Sequence, residues 1–222
     1  MLKKDVIPTS KGNLEITFIT HGSIMMSWGG FVIYVDPIAE GGPDYKKLPQ
    51  ADFLLLTHDH YDHLDTEVVD ILKKPGTEIL YNMKCAPKCP GGAIMKNGET
   101  RTVKGISVEA VPAYNIKHLR APGQPFHPKG EGNGYVVTFG DKRVYIAGDT
   151  ENIPEMKALK TIDVAFLPMN LPYTMTPEMV ADAAQAFQPK ILYPYHYGQT
   201  DPNKLIDLLK DSKTQVRVRK MK

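Results

Sequence analysis

The sequence predicts an α/β fold with four layers, αββα, in which two mixed sheets pack face to face and helices lie outside them. Three features predict it. Each half of the chain opens on a meander of short strands, and each half then turns to strands alternating with helical segments. Two runs, Phe53–Leu56 and 164–167, are wholly apolar, as strands buried on both faces are. At 222 residues, with no internal repeat or low-complexity segment, the chain is read as one domain spanning 1–222.

Residues 14–20 alternate as a strand, and strands at 24–28 and 31–35 follow, joined by the hairpin signal Gly29-Gly30. Asp36-Pro37 ends the third strand, and a Gly/Pro-rich loop leads to Phe53–Leu56. From Asp65, the apolar positions Val68, Val69, Ile71 and Leu72 take helical spacing until Pro75-Gly76 stops them. Short strands are read at 78–82, 93–95, 100–104 and 106–111. Residues 112–133 form a long irregular stretch holding His118 and His127; such a loop inside a compact domain is functional or disordered. A second hairpin, 134–139 with 143–147, turns at Gly140-Asp141 and delivers Gly148-Asp149-Thr150. A short helix is placed at 154–160. Thr176-Pro177-Glu178 starts another that runs to Phe187, with Thr as N-cap and Pro at the first position. A strand at 191–193 delivers Tyr195-His196-Tyr197-Gly198, and a helix at 202–209 and a strand at 215–218 close the chain. Residues 1–10 are given no element.

Hydrophobic residues make up 42% and charged residues 23%, the balance of a globular protein rather than a disordered one. The net charge of +2 lacks the basic footprint of nucleic-acid binding, so no nucleic-acid partner is expected. No apolar run is long enough to cross a bilayer, so no membrane partner is expected. Lys3 and Lys4 are followed by no apolar stretch of a signal peptide, which gives a cytoplasmic expectation. The basic tail with Arg217, Arg219, Lys220 and Lys222 is read as a solvated terminal strand. Cys85 and Cys89 lack Cys-x-x-Cys spacing and are read as free loop thiols.

The chemistry concentrates in His58-Asp59-His60-Tyr61-Asp62-His63, which holds three of the chain's seven histidines. Imidazole and carboxylate together suit divalent metals, zinc first, with manganese or iron as alternatives. One short loop does not wrap four such groups round a single ion. In a tight turn His58 and His60 point one way and Asp62 and His63 the other, which suits two ions about 3.5–4 Å apart with a shared water. More ligands must come from elsewhere. Asp149 and His196 each follow a strand expected to end at the same sheet edge, and each is a natural completing ligand.

The segment His58-x-His60-x-Asp62-His63 resembles the signature loop of the metallo-β-lactamase superfamily. Phe18-Ile19-Thr20-His21-Gly22-Ser23, Tyr34-Val35-Asp36-Pro37, Ala147-Gly148-Asp149-Thr150 and Pro194-Tyr195-His196-Tyr197-Gly198 narrow the resemblance to the branch of ascorbate-6-phosphate lactonase-like and related hydrolases. The likeness runs from about residue 14 to 200. It implies the αββα fold, a mono- or dinuclear site, and hydrolysis of an ester, lactone, amide or phosphodiester. By position it implies His58 and His60 on a first ion, Asp62, His63 and His196 on a second, and Asp149 bridging both. It also implies a third histidine for the first ion after the strand at 106–111, where Pro112-Ala113-Tyr114 leads here to Asn115 instead. His127 is the first choice for that ligand, His118 the second and Asn115 the third. His21 is expected to orient a ligand, Tyr173 and Thr174 to line the pocket, and Lys129 to meet an anionic substrate.

The expected function is therefore hydrolysis of an ester, lactone or phosphodiester in a small-molecule substrate by a metal-activated water, with Asp62 orienting the nucleophile. A homo-oligomer is compatible with this reading. A di-iron redox protein of the same fold and a non-catalytic metal-binding protein are the alternatives; no Gly-x-Gly-x-x-Gly fingerprint supports a dinucleotide or flavin partner.

Overall fold

A computed structural model describes residues 2–221. The first sheet has seven strands in sequential order. They are β1 (Lys4–Thr9), β2 (Gly12–Thr20), β3 (Ser23–Trp28), β4 (Phe31–Val35), β5 (Phe53–Leu56), β6 (Glu78–Tyr81) and β7 (Ala93–Ile94). β1 to β4 run antiparallel and β4 to β7 parallel. The next strands are β8 (Thr100–Val103), β9 (Ile106–Ala113), a small hairpin of β10 (Leu119–Ala121) and β11 (Gln124–Pro125), then β12 (Gly132–Phe139), β13 (Lys142–Ile146), β14 (Val164–Pro168), β15 (Ile191–Tyr195) and β16 (Gln215–Val216). Without the hairpin they form the second sheet, ordered β16-β15-β14-β13-β12-β9-β8, antiparallel from β8 to β13 and parallel from β13 to β16.

Strand periodicity builds the layers. On β5, Phe53 and Leu55 point into the space between the sheets, while Leu54 and Leu56 point outward beneath Val68, Val69 and Leu72 of α1 (Thr66–Leu72). One apolar run thus serves two cores. Between the sheets, Phe18 on β2 meets Phe166 on β14 at 6.2 Å and Tyr193 on β15 at 5.0 Å. On the far face of the second sheet, α3 (Pro177–Phe187) buries Val180, Ala183, Ala184 and Phe187, and the Phe187 ring meets Tyr145 edge-on. The short α2 (Pro154–Lys157) and α4 (Asn203–Leu208) pack against α3. Thr176 caps α3 through Met179 N–H with Pro177 at its first turn, and Asp65 caps α1 through Glu67 and Val68 N–H groups. The result is the four-layer αββα sandwich read from the sequence. Among the described residues no helix is long and apolar enough to cross a membrane.

The chain ends differ from the sequence reading. Residues 4–9 form an edge strand with only Ile7 buried, so its alternation was too weak to signal a strand. The basic tail is not simply solvated. Arg219 Nε donates to Asp5 Oδ1 at 3.1 Å, its guanidinium lies over the Phe18 and Tyr193 rings, and Met221 is buried. The arginines found a half-buried acid on a strand more than 200 residues away, which no local pattern encodes. Residues 112–133 also contain the end of β9, the hairpin β10–β11 and the start of β12. Cys85 and Cys89 are free, as read, but buried against the outer face of the first sheet.

Candidate metal centre

The C-terminal ends of the parallel strands in both sheets meet at one edge, and the sequence-predicted groups gather there. The 58–63 loop leaves β5 and closes in a helical turn, with His63 and Leu64 N–H groups donating to the His60 carbonyl. Asp36, fully buried at the end of β4, fixes its entry and its last histidine together. Its Oδ1 accepts Thr57 N–H at 2.8 Å, and its Oδ2 accepts Thr57 Oγ1 at 2.6 Å and His63 Nδ1 at 2.8 Å. With Nδ1 so occupied, His63 presents Nε2 to the site, the arrangement by which a carboxylate sets the tautomer of a ligating imidazole.

Asp149 enters from the end of β13. Gly148 before it sits at φ +65° and donates to Tyr195 Oη at 2.9 Å; a Cβ there would lie 2.8 Å from the Asn133 carbonyl. Only glycine fits that close approach in the left-handed region. His196 follows β15 at φ +48°, and its N–H donates to the carbonyl of His21, itself at φ +45°. With Asp36 at φ +41°, three of the six left-handed non-glycine residues among those described belong to this centre, where rare backbone conformations place side chains.

His127 arrives from the long loop. Its Nδ1 and its backbone N–H both meet Asn115 Oδ1, at 2.7 and 2.8 Å. Asn115 Nδ2 in turn donates to Glu151 Oε1 at 3.1 Å and to the Tyr173 carbonyl at 2.9 Å. Glu151 is fully buried and accepts the N–H groups of Ile116, Lys117 and His118 as well, at 2.7–2.9 Å. It also engages His118 Nδ1 at 2.8 Å.

Around Asp149 the distances are those of groups converging on common points. Its Oδ1 lies 3.3 Å from His63 Nε2, and its Oδ2 lies 3.3 Å from His127 Nε2 and 3.4 Å from His196 Nε2. Potential donor atoms of His58, His60 and His127 lie within 4.8 Å of one another, as do those of His21, Asp62, His63 and His196, and those of His58, His63 and Asp149. Six buried side-chain polar atoms among the described residues have no hydrogen-bond partner, and four of them belong to this centre: His63 Nε2, Asp149 Oδ1, and both ring nitrogens of His196. Leaving such atoms unpaired costs roughly 1–3 kcal/mol each. Close approach without hydrogen-bond alignment, in a His/Asp donor set, is what metal ligands show when the cation is left out of the count, so the residues fit a divalent metal.

Burial, aided by the neighbouring His63, holds His58 well below the usual histidine range, and burial with the nearby His127 lowers His60. Burial pulls Asp149 upward, but His196, His63 and His127 hold it well below the carboxylate range. Asp62 is likewise lowered against burial by His196 and His21. For His63, burial is outweighed by Asp149 and Asp36, which raise it well above the usual value. Neutral His58 and His60 beside anionic Asp62 and Asp149 are in the protonation states that bind metal, whereas Asp149 and Asp36 favour the protonated form of His63, so a cation bound there would have to displace that proton.

Of the sequence-predicted residues, His58, His60, Asp62, His63, His127, Asp149 and His196 come together here. His21 joins them, its Nε2 3.3 Å from Asp62 Oδ2 and its ring 3.8 Å from that of His196. Asn115 lies behind His127, and His118 is drawn away to Glu151. Tyr173 lines the cleft above the centre, whereas Thr174 is fully buried and bonded to Asn170. Lys129 does not come to the site: its Nζ pairs with Glu155 at 2.7 Å over the Tyr114 ring, because an acid on α2 lies closer than the cleft. Glu151 and the bond from Asp36 to His63 were not expected from the sequence. Asp36 lies in the Tyr34-Val35-Asp36-Pro37 motif, whereas Glu151 gives no signal beyond its place after Gly148-Asp149-Thr150.

A family profile described as "Beta-lactamase superfamily domain" matches residues 15–196. A candidate metal-dependent hydrolase from Parabacteroides distasonis, solved by crystallography, is 49% identical, with all of both chains covered and a TM-score of 0.95. A UPF0173 metal-dependent hydrolase of Methanopyrus kandleri is 30% identical over 200 residues, 85% of this chain and 86% of the relative. Igni18, a metallo hydrolase of Ignicoccus hospitalis, shares the fold at a TM-score of 0.75 and 24% identity, covering 93% of this chain and 94% of its own. The chain belongs to the β-lactamase superfamily, among its metal-dependent hydrolases.

Proposed function

We propose that the centre holds two divalent cations, zinc by preference, and hydrolyses an ester, lactone or phosphodiester bond in a small molecule. The observation that carries this reading is the convergence of unpaired buried atoms of His63, His196 and Asp149 on one side and of the clustered donor atoms of His58, His60 and His127 on the other, with Asp149 between them. In this assignment His58, His60 and His127 hold one cation, Asp62, His63 and His196 the other, and Asp149 both. The cations would supply Lewis acidity, polarising the scissile group and bringing the pKa of water toward neutrality.

The chain's own groups do the rest. Asp62, kept anionic by His196 and His21, faces the cleft, orients the attacking water and accepts its proton. His21 fixes the Asp62 carboxylate through Nε2. Asp36 and Asn115 set the tautomers of His63 and His127 so that both present Nε2 inward. The cleft above, about 720 Å³, suits a small molecule.

The test is metal analysis of the purified protein together with turnover of bis(4-nitrophenyl) phosphate, 4-nitrophenyl acetate and dihydrocoumarin, for the unaltered chain, His58→Ala and Asp149→Ala. We expect close to two metals per chain and activity on at least one substrate, with both lost in the variants. Retention of metal and activity in both variants would overturn the reading.

A further inference from the structure

We propose that Arg120 is the anion-binding arm of the cleft and that the substrate carries a carboxylate or phosphate remote from its scissile bond. This rests on the two-cation hydrolase reading above and names the substrate class for that site.

Two cationic side chains line the cleft, Lys88 and Arg120. They differ in what already satisfies them. Lys88 Nζ pairs with Asp59 Oδ2 at 2.9 Å and donates to the Asp59 carbonyl at 2.5 Å, so its charge is neutralised by an acid of the 58–63 loop itself. Arg120 has no carboxylate partner among the described residues. Its one side-chain hydrogen bond is from Nη2 to the Phe126 carbonyl at 3.2 Å. A guanidinium offers five N–H donors in a rigid fork that matches carboxylate and phosphate oxygens in pairs, so most of this fork is unspent.

The fork is also held in place. Its carbon lies 5.6 Å from the Phe126 ring centroid, and Phe126 meets Tyr173 edge-on at 5.1 Å, so an edge-to-face aromatic pair backs the arginine on the cleft side. Arg120 sits on β10 in the hairpin β10–β11, and both ends of that excursion are tied. Asn115 N–H donates to the His127 carbonyl at 2.9 Å, Asn115 Oδ1 takes His127, and Glu151 takes three consecutive N–H groups just before β10. The tie that places His127 beside His58 and His60 therefore also places Arg120 at the mouth of the cleft. Arg120 is solvent-exposed, which weakens a lone ion pair, but a ligand anchored at the centre below it would present its anion to the fork with little further loss of freedom.

The experiment is titration calorimetry of the zinc-loaded protein with ligands that share a metal-binding hydroxamate and differ in the tail. Monohydroxamates of dicarboxylic acids with two to six methylenes are compared with uncharged alkyl hydroxamates of the same length and with ω-phosphono hydroxamates. We expect at least one charged-tail length to bind ten times more tightly than its uncharged counterpart. Arg120→Ala should abolish that preference, Arg120→Lys should restore part of it, and Arg101→Ala, away from the cleft, should leave it intact. The carboxylate and phosphonate series show which anion fits better. Equal binding of charged and uncharged tails, or a preference that survives Arg120→Ala, overturns the assignment while leaving the metal centre standing. Failure of every hydroxamate to bind overturns it together with the two-cation reading.

Discussion

His63 and His127 stand on opposite sides of Asp149, each with Nε2 3.3 Å from one of its oxygens, yet they are held by different parts of the molecule. His63 is fixed by Asp36, a buried residue at a strand end that also binds Thr57 at the end of the neighbouring strand. Its position is part of the first sheet, and losing it means disturbing the sheet. His127 comes near the end of a loop that starts at Asn115, and its side chain is positioned by Asn115, which Glu151 in turn holds. That arm can be released without unfolding a layer, because local opening there breaks few buried apolar contacts. The centre thus joins donor side chains built into strand ends to one supplied by a tethered loop.

Asp149 belongs to both arms, so Asp149→Ala should have the largest effect. Metal analysis and kcat/KM should show the bound metal lost and activity down by more than the ~100-fold that removing an outer partner of a ligand costs; full metal content would mean that the arms do not meet there. Asp36→Asn strikes the sheet side. Metal affinity should fall by roughly 10- to 100-fold, and urea unfolding should show about 2–3 kcal/mol lost, because a buried charged acceptor of three hydrogen bonds is replaced. Asn115→Ala strikes the loop side. Metal affinity should fall by roughly 10-fold with only about 1 kcal/mol of stability lost, and limited proteolysis should open the chain between 116 and 126. If Asn115→Ala destabilised the fold as much as Asp36→Asn, the contrast between the arms would disappear.

The smallest effect should come from Asp5, far from both arms. Burial raises its pKa, but Arg219, Tyr193 and Arg217 more than offset this and lower it. Its stabilisation is therefore fully present above the ordinary carboxylate pKa of about 3.9 and is lost as pH falls through the lowered folded value. Asp5→Asn should cost about 1 kcal/mol in urea at pH 7 and at pH 5, the difference should shrink only in more acidic solution, and metal content should not change. An equal cost at every pH would show that the ionised form of Asp5 is not what matters.

Much of this was legible before the fold. Phe53–Leu56 announced a doubly buried strand, and the cluster directly after it announced a metal site, because a ligand loop on a rigid strand end needs only neighbours in sequence. Asp149 and His196 were legible as residues after strands, since parallel strands of one sheet deliver their ends to one edge. Lys129 was misread because its partner, Glu155, lies on an element whose packing no local pattern reveals. β1 and the Arg219 strap were missed for the same reason: their partners are at the other end of the chain.

The sequence by itself determined the four layers, the 58–63 loop and the metal-binding character of the chain, because strand periodicity and short ligand spacing are local properties. Only the tertiary structure decided how 115–127 is arranged around the centre. Asn115, His118 and His127 all carry suitable atoms, and nothing in their spacing ranks them. Glu151, buried beneath the loop, takes His118 for itself and turns Asn115 toward His127, leaving His127 Nε2 to face Asp149. A buried carboxylate must find donors wherever the fold brings them, and that competition is settled in three dimensions.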